Sequence, residues 1–200
     1  MGSKKVIDIG CGAGSSTYFL AKEYSDTTFL GLDISEDLIS LSKNIVAEKK
    51  LLNIDFIVDD WFELNNYEQI NGVISIQTLS WLSEFEIPLI QIFEKINPSG
   101  ISFTSLFYEG DISLKTEVLE HINNKACFNN HYSIPAIERL SHKYGYKIAD
   151  YKPFEIDIDI DKPVDLNYMS TYTIKTEKEK RIQVSGPMLM NWYFLTIIKA

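Results

Sequence analysis

The sequence predicts an α/β chain built on a parallel, doubly wound sheet. Two observations carry that expectation. Short runs rich in β-branched and aromatic residues alternate with helix-length segments through the first half of the chain, as parallel strands joined by crossover helices require. The first run, in "VIDIGCGAGSSTYFL" (6–20), ends in an aspartate, and Gly10, Gly12 and Gly14 follow at alternate positions before a Ser-Ser-Thr stretch. A strand that turns through glycines into a helix sets backbone N–H groups at the carboxyl edge of the sheet, where open α/β sheets bind ligands.

The elements follow in order. "KKVIDIG" (4–10) reads as a short buried strand, and 15–24 as a helix with Ser15 or Ser16 as its N-cap. "TTFLGLD" (27–33) is a second strand. "SEDLISLSKNIVAEKK" (35–50) starts a helix at Ser35, with Asp37 in its first turn and Leu38, Leu41, Ile45 and Val46 near helical spacing. "IDFIVDD" (54–60) and "INGVISIQ" (70–77) are the third and fourth strands. Residues 85–96 form a helix with Pro88 in its first turn, "NPSG" turns, and "ISFTSLFY" (101–108) is the fifth strand. Beyond it, 133–144 reads as helix and "YKIADYKPFEIDIDI" (146–160) as a long strand broken at Pro153. "STYTIKTEKEKRIQVSG" (170–186) reads as a hairpin with "EKEK" at its tip, and "MLMNWYFLTIIK" (188–199) as a final strand. No repeat or low-complexity linker divides the 200 residues, so one domain over 1–200 is expected.

Composition narrows the partners. A chain that is 45% hydrophobic and 12% aromatic has the apolar content of a folded domain. Its net charge of -9 lacks the basic footprint of a nucleic-acid binder. The longest apolar runs, such as "MLMNWYFLTII", are too short to span a bilayer. Cys11 and Cys127 form neither a metal spacing nor a disulfide framework, and no leader precedes the first strand, so a cytoplasmic location is expected. The Asn-, Ile- and Lys-rich usage points to an AT-rich bacterial genome.

The glycine spacing discriminates between ligands. A dinucleotide fingerprint needs G-x-G-x-x-G/A, but here the third glycine, Gly14, comes one position early and residue 15 is serine. A P-loop needs a lysine that is missing. Asp8 beside the loop repels a pyrophosphate and suits an ammonium group. Asp33 lies about 20 residues past the loop, where a carboxylate accepts from ribose hydroxyls. At the end of the third strand, Asp59 or Asp60 can accept from an adenine amino group while the next backbone N–H donates to a ring nitrogen. An adenosine with a cationic amino-acid tail and no phosphate fits all three places.

The stretches "VIDIGCGAG", "GLDIS", "VDDWFEL", "GVISIQTLSWL" and "INPSGISFTS" resemble the ordered motifs of class I S-adenosylmethionine-dependent methyltransferases, over roughly residues 4–108 and more weakly in the final strands. The resemblance implies a Rossmann-like sheet of seven strands in order 3-2-1-4-5-7-6, with the last strand in the chain antiparallel. It makes 4–108 the cofactor-binding core and 109–200 the substrate-side insertions, including a small β-hairpin, and the final strands. It implies S-adenosylmethionine as cofactor and S-adenosylhomocysteine as product. Asp8, Gly10, Gly12 and Gly14 would surround the methionine moiety, with Cys11 among them as a small loop residue. Asp33, with Ile34 beside it, would hold the ribose, Asp60 and Trp61 the adenine, and Gln77 would border the reaction site. The sequence departs from the family in two ways. Ile76 and Ser80 stand where small-molecule methyltransferases often carry Asn and His, and the helices that usually precede the glycine motif have no counterpart before Lys4.

Methyl transfer from a sulfonium is an in-line displacement, so the protein mainly positions the nucleophile. A general base is needed only for an acceptor that is protonated at neutral pH. The candidates for chemistry are Tyr108 and Glu109, which end the fifth strand, and His131 in "FNNHYSIP". The acceptor pocket is expected above strands four and five, walled by Trp81, Tyr108 and His131 and roofed by 157–187, with 111–132 as a further lid segment. The plainer readings make Glu109 a loop carboxylate, Trp81 a packing residue, and His121 and His142 solvated. "DIDID" (157–161) is not a calcium loop, because Lys162 and Tyr168 stand where glycine and glutamate are required. Its alternation fits an amphipathic strand, and no metal is expected. The function expected is methyl transfer to a small-molecule acceptor, at oxygen. The alternative is a non-catalytic subunit that binds S-adenosylmethionine or a partner; a nicotinamide-dependent oxidoreductase is disfavoured by the glycine spacing.

Overall fold

A computed structural model describes residues 4–178 and 180–200. The chain lays down β1 (Lys4–Ile9), α1 (Ser15–Glu23), β2 (Thr27–Asp33), α2 (Glu36–Lys49), β3 (Ile54–Val58) and β4 (Gly72–Ile76). After a short 3-10 turn, Leu79–Trp81, come α3 (Glu86–Gln91) and β5 (Gly100–Tyr108). The second half holds the hairpin β6 (Glu117–Glu120) and β7 (Lys125–Phe128), then β8 (Tyr132–Ser133), α4 (Ile134–Lys143) and β9 (Tyr146–Pro153). It closes with β10 (Thr171–Lys175), β11 (Arg181–Ser185), β12 (Met188–Leu189) and β13 (Trp192–Lys199).

The main sheet runs β3-β2-β1-β4-β5-β13-β9, the order 3-2-1-4-5-7-6 that the sequence led us to expect. β13 is antiparallel to both its neighbours, β5 and β9, while the strands from β3 to β5 are parallel. The parallel strands are near-continuous apolar runs because helices cover both faces. α3 and α4 pack on one face, over Ile7, Phe103, Phe107 and Leu195. α1 and α2 cover the other, over Phe29 and Phe56. β1 is central, with Asp8 level with Gly31 on β2 and Ile74 on β4. The strand order reverses between β1 and β4, so their carboxyl ends flank the crevice of the sheet.

Several local expectations need correction. The N-cap of α1 is Gly14, in the left-handed region at φ +76°, with no side-chain cap from either serine. Ser35 does cap α2, its Oγ accepting the Leu38 N–H, but that helix buries Ile39 and Ser42. Leu38 and Leu41 stay 37% and 47% exposed, because the glycine loop draws the Ser42 side of the helix inward. The helix at 85–96 is α-helical only to Gln91 and then widens into a π turn, Ile92–Ile96. β9 stops at Pro153, which has no N–H to continue the ladder. The "DIDID" stretch beyond it is no strand: Asp157 and Asp159 converge on the Arg181 guanidinium at 3.6 and 2.7 Å. The expected hairpin is present as β10–β11, and Glu179 at its tip lies outside the described residues. The final strand is interrupted between β12 and β13, and the β6–β7 hairpin was not anticipated.

Asn130, fully buried, ties the second half to the first. Its backbone N–H donates to the Ser80 carbonyl at 2.8 Å, its Nδ2 donates to the Leu82 carbonyl at 2.8 Å, and its Oδ1 accepts the Thr116 N–H at 2.8 Å. Among the described residues no helix is long and apolar enough to cross a membrane.

Candidate active site

The loop after β1 is pinned to β2, where the N–H groups of Gly10 and Cys11 both donate to the Leu32 carbonyl at 2.8 and 2.9 Å. Gly10, Gly12 and Gly14 all have positive φ, but their surroundings differ. A β-carbon at Gly10 would fall 2.2 Å from Thr78 Cγ2, and one at Gly14 would fall 2.5 Å from the Phe56 ring. Packing within the protein therefore excludes side chains at those two. At Gly12 nothing lies within 4 Å, so the space above the loop is open there. Gly10, expected to face the methionine moiety, has Thr78 as its close neighbour.

Four carboxylates, Asp8, Asp33, Asp59 and Asp60, lie at the loop and its flank. Asp8 is 1% exposed, and its Oδ2 accepts from the Thr17 hydroxyl. Its Oδ1 is buried with no partner. Burial first, and the charge of Asp33 second, push its carboxyl up to about 6 against the pull of the Thr17 bond. Asp33 buttresses the loop from the end of β2: Oδ2 accepts the Gly12 N–H at 2.8 Å and Oδ1 the Ser35 N–H at 3.0 Å. Each oxygen keeps a second lone pair. Asp59 and Asp60, equivalent by residue chemistry alone, differ here. Asp59 accepts from the Tyr67 hydroxyl, from Asn65 N–H and Nδ2, and from the Asp60 N–H, so its own loop occupies it. Asp60 accepts only from the Phe62 N–H, through Oδ1 at 2.9 Å, which leaves Oδ2 free among the described residues.

Asp33, Ile34, Asp60 and Trp61 line one cleft of about 200 Å³ together with Gly10 and Thr78. Ile34 is exposed at its edge. The Trp61 indole is buried, donating Nε1–H to the Pro88 carbonyl at 3.0 Å, so that side chain belongs to the core. The Cys11 thiol is pushed well above its ordinary range by burial, with Asp8 and Asp33 adding to the effect. It stays protonated and acts as a small filler against Gly31. Gln77 has φ +62°, a left-handed conformation that is costly for a residue with a β-carbon, while its N–H donates to the Thr104 carbonyl at 2.7 Å. The next residue, Thr78, faces the cleft and donates its hydroxyl to the Gly10 carbonyl at 2.8 Å.

The residues proposed for chemistry are not gathered into one pocket. Tyr108 and His131 line an apolar cavity of about 530 Å³ with Leu114 and Leu189. Trp81 lines a different cavity, of about 210 Å³, with Gln77, Asn129 and Trp192. His131 pairs with Leu114, which lines the same cavity, and sequence spacing could not reveal that pairing. His131 Nδ1 is buried without a partner, and burial lowers the ring's pKa. Glu109, the residue after β5, accepts the Tyr193 hydroxyl at 2.9 Å and lines neither cavity. The roof differs in the same way: Thr171 and Ser185 from the 157–187 segment stand over the Trp81 cavity. Among the described residues no cluster of His, Cys, Asp or Glu is arranged to hold a metal. Sequence reasoning missed Thr78, Lys125 and Asn129, which long-range contacts bring to the site.

This architecture has known counterparts. The structure of the YcgJ protein from Bacillus subtilis aligns with a TM-score of 0.66 over 99% of this chain and 92% of that one, at 13% identity, so the two share a fold. A malonyl-[acyl-carrier protein] O-methyltransferase from Priestia megaterium is 23% identical over 185 residues, which are 90% of this chain and 66% of that protein. A trans-aconitate 2-methyltransferase from Delftia acidovorans is 25% identical over 99 residues, 50% of this chain and 36% of its own length. The chain thus spans between about a third and two thirds of these curated relatives. A family described as "Methyltransferase domain" matches residues 2–163, and with that match over most of its length the chain belongs to the methyltransferase domain family.

Proposed function

We propose that this chain transfers the methyl group of S-adenosylmethionine to an oxygen atom of a small-molecule acceptor. The observation that carries this reading is Asp8. A carboxylate is sealed at the centre of the sheet with one oxygen unpartnered, and it is held beside a loop that opens at Gly12. Among the described residues Asp8 has only the Thr17 hydroxyl as a partner and no cation, and an isolated buried charge is costly. The ammonium of the cofactor's methionine moiety, directly or through a water, supplies the missing partner.

The other residues fit the same ligand. The free lone pairs of Asp33 suit the two ribose hydroxyls, and the Gly12 N–H holds that carboxylate in place. Asp60 Oδ2 suits the adenine amino group, the Trp61 backbone N–H a ring nitrogen, and Ile34 the exposed face of the base. When bound, the cofactor supplies an activated methyl on a sulfonium. The chain's own contribution is positional: the strained Gln77–Thr78 turn sets the wall between the cofactor cleft and the space in front of it. Oxygen as the target is supported by the Priestia relative, named as an O-methyltransferase.

Calorimetry with S-adenosylhomocysteine and NAD, followed by transfer of labelled methyl to a metabolite panel, tests the reading. S-adenosylhomocysteine should bind and NAD should not. Absence of S-adenosylhomocysteine binding overturns the proposal. Binding without turnover against any acceptor would favour a non-catalytic subunit.

A further inference from the structure

The 210 Å³ cavity bordered by Gln77 and Trp81 differs in character from the apolar one at His131. It also stands nearer the cofactor cleft. Gln77 lines the cavity while its neighbour Thr78 lines the cleft, so a single peptide separates the two spaces. No residue of the His131 cavity is shared with the cleft or adjacent in sequence to its lining. An acceptor must reach the methyl group across a shared wall, and of these two cavities the one at Gln77 has it.

Its polar lining is unsatisfied. Among the described residues, the side chains of Gln77, Lys125, Asn129, Thr171 and Ser185 form no hydrogen bond, and Lys125 has no carboxylate within ion-pair distance. Asn129 is 5% exposed; its Oδ1, an acceptor, is buried without a partner, and its Nδ2, the donor that this side chain offers, forms no hydrogen bond among the described residues. Solvent serves the exposed groups, but a buried amide without partners is costly and calls for a ligand or an ordered water. The set is rich in donors: two amides, two hydroxyls and an ammonium. The one carboxylate in the lining, Glu120, is already engaged. It accepts the Met169 N–H at 3.2 Å and Asn123 Nδ2 at 3.4 Å, which fixes the β6–β7 hairpin to the segment before β10. No histidine lines the cavity.

We propose that this cavity is the acceptor site and that its substrate class is a small molecule bearing a carboxylate, held by Lys125 and Asn129 and methylated on a carboxylate oxygen. The inference rests on the methyl-transfer reading above. A carboxylate matches the donors, and it explains the lack of a base. Such an oxygen is already ionised at neutral pH. Its lone pair forms the O–CH3 bond as the S–CH3 bond breaks. Sulfur keeps the bonding pair and loses its positive charge, and no proton moves. The products are a methyl ester and S-adenosylhomocysteine. Trp81 and Trp192 form apolar walls for the rest of the acceptor.

The test uses the full chain and begins with S-adenosylhomocysteine, whose failure to bind would remove the underlying reading rather than this one. With that ligand saturating, acetate, malonate and succinate are titrated while tryptophan fluorescence is followed, with the corresponding amides as controls. We expect a saturable change from at least one acid and none from the amides. Lys125→Met, a substitution on an exposed hairpin strand, should weaken acid binding by roughly tenfold or more and leave S-adenosylhomocysteine binding unchanged. In turnover with labelled cofactor, acids should yield a product that releases labelled methanol in base, as an ester does and an ether or methylamine does not. The proposal is overturned by equal responses to acids and amides, by no saturable acid response, by insensitivity to Lys125→Met, or by a base-stable product.

Discussion

Replacing Asp8 by Asn should push stability and cofactor binding in opposite directions. In the folded chain the Asp8 carboxyl holds its proton up to about 6, against an ordinary value of 3.8. A raised value means that the fold binds this proton more tightly than the unfolded chain does. The resulting stabilisation is complete below about pH 4 and is lost as pH rises through about 6. At ~1.4 kcal/mol per pKa unit, the cofactor-free protein loses about 3 kcal/mol from this group by pH 7. Solvent screening takes little of that away, because the side chain is 1% exposed. The variant amide can still accept from Thr17 but carries no charge. Above pH 7 the cofactor-free variant should therefore be more stable than the parent by about 1–3 kcal/mol, the lower end allowing for an unsatisfied amide N–H. Melting temperature should rise by about 2–4 °C per kcal/mol. Urea unfolding of both proteins at about pH 4 and pH 8 measures the difference directly. The gain should shrink or reverse at the lower pH, while S-adenosylhomocysteine affinity at pH 8 should fall because its ammonium has lost its counter-charge. A variant less stable than the parent at pH 8, or a difference that does not change with pH, refutes the buried-charge reasoning.

Three more outcomes follow from the same loop. Asp33→Ala should weaken S-adenosylhomocysteine binding by more than about tenfold, at roughly 1.5–3 kcal/mol per charge-assisted bond, with a lower melting temperature from the lost Gly12 and Ser35 contacts; unchanged affinity in calorimetry defeats the ribose assignment. Gly12→Val should abolish binding while circular dichroism stays native, since its side chain enters open space, although the positive φ, which β-branched residues rarely adopt, should lower the melting temperature. A folded variant that binds normally makes the loop a turn and nothing more. Gly10→Ala should instead impair folding, because its β-carbon meets Thr78, and Thr78→Gly in the same chain should recover part of the lost melting temperature.

The sheet was legible because its signals are local. Runs such as "FTSLF" are apolar on both faces, whereas the order of the strands came from the resemblance of the ordered motifs to a known family and not from any local signal. The second half was less legible. The stretch forming β6–β7 has weak alternation, since both strands are largely exposed and held by Glu120 and Asn130 contacts from distant segments. The α2 pattern misled because Leu38 and Leu41 are apolar yet exposed, while Ser42 is the residue that the loop buries. In the candidate site, the residues at or next to their own strand ends, Asp8, Asp33, Asp60 and Gln77, could be placed from sequence because β1 to β4 are local signals. Trp81 and His131 were wrongly joined, because whether two aromatic residues 50 positions apart share a cavity depends on the Leu114–His131 pairing. Residue chemistry alone left Asp59 and Asp60 equivalent and only the resemblance preferred Asp60; Tyr67 and Asn65 claim Asp59.

The position of β13 has a consequence for how the chain is made. It is the last strand in sequence but sits inside the sheet, bonded to β5 on one side and β9 on the other. Asn191, just ahead of it, bonds Phe107 across 84 residues. On a ribosome, β1 to β5 emerge early and can pair in parallel, yet β5 must wait as a bare edge until nearly all the described chain has been synthesised. Such an edge, carrying Phe103 and Leu106, is a template for pairing with another nascent chain. Closure across so long a loop is slow, so overproduction should be limited less by the final stability of the domain than by the time this edge spends uncovered, and slower synthesis at low temperature should raise the soluble yield.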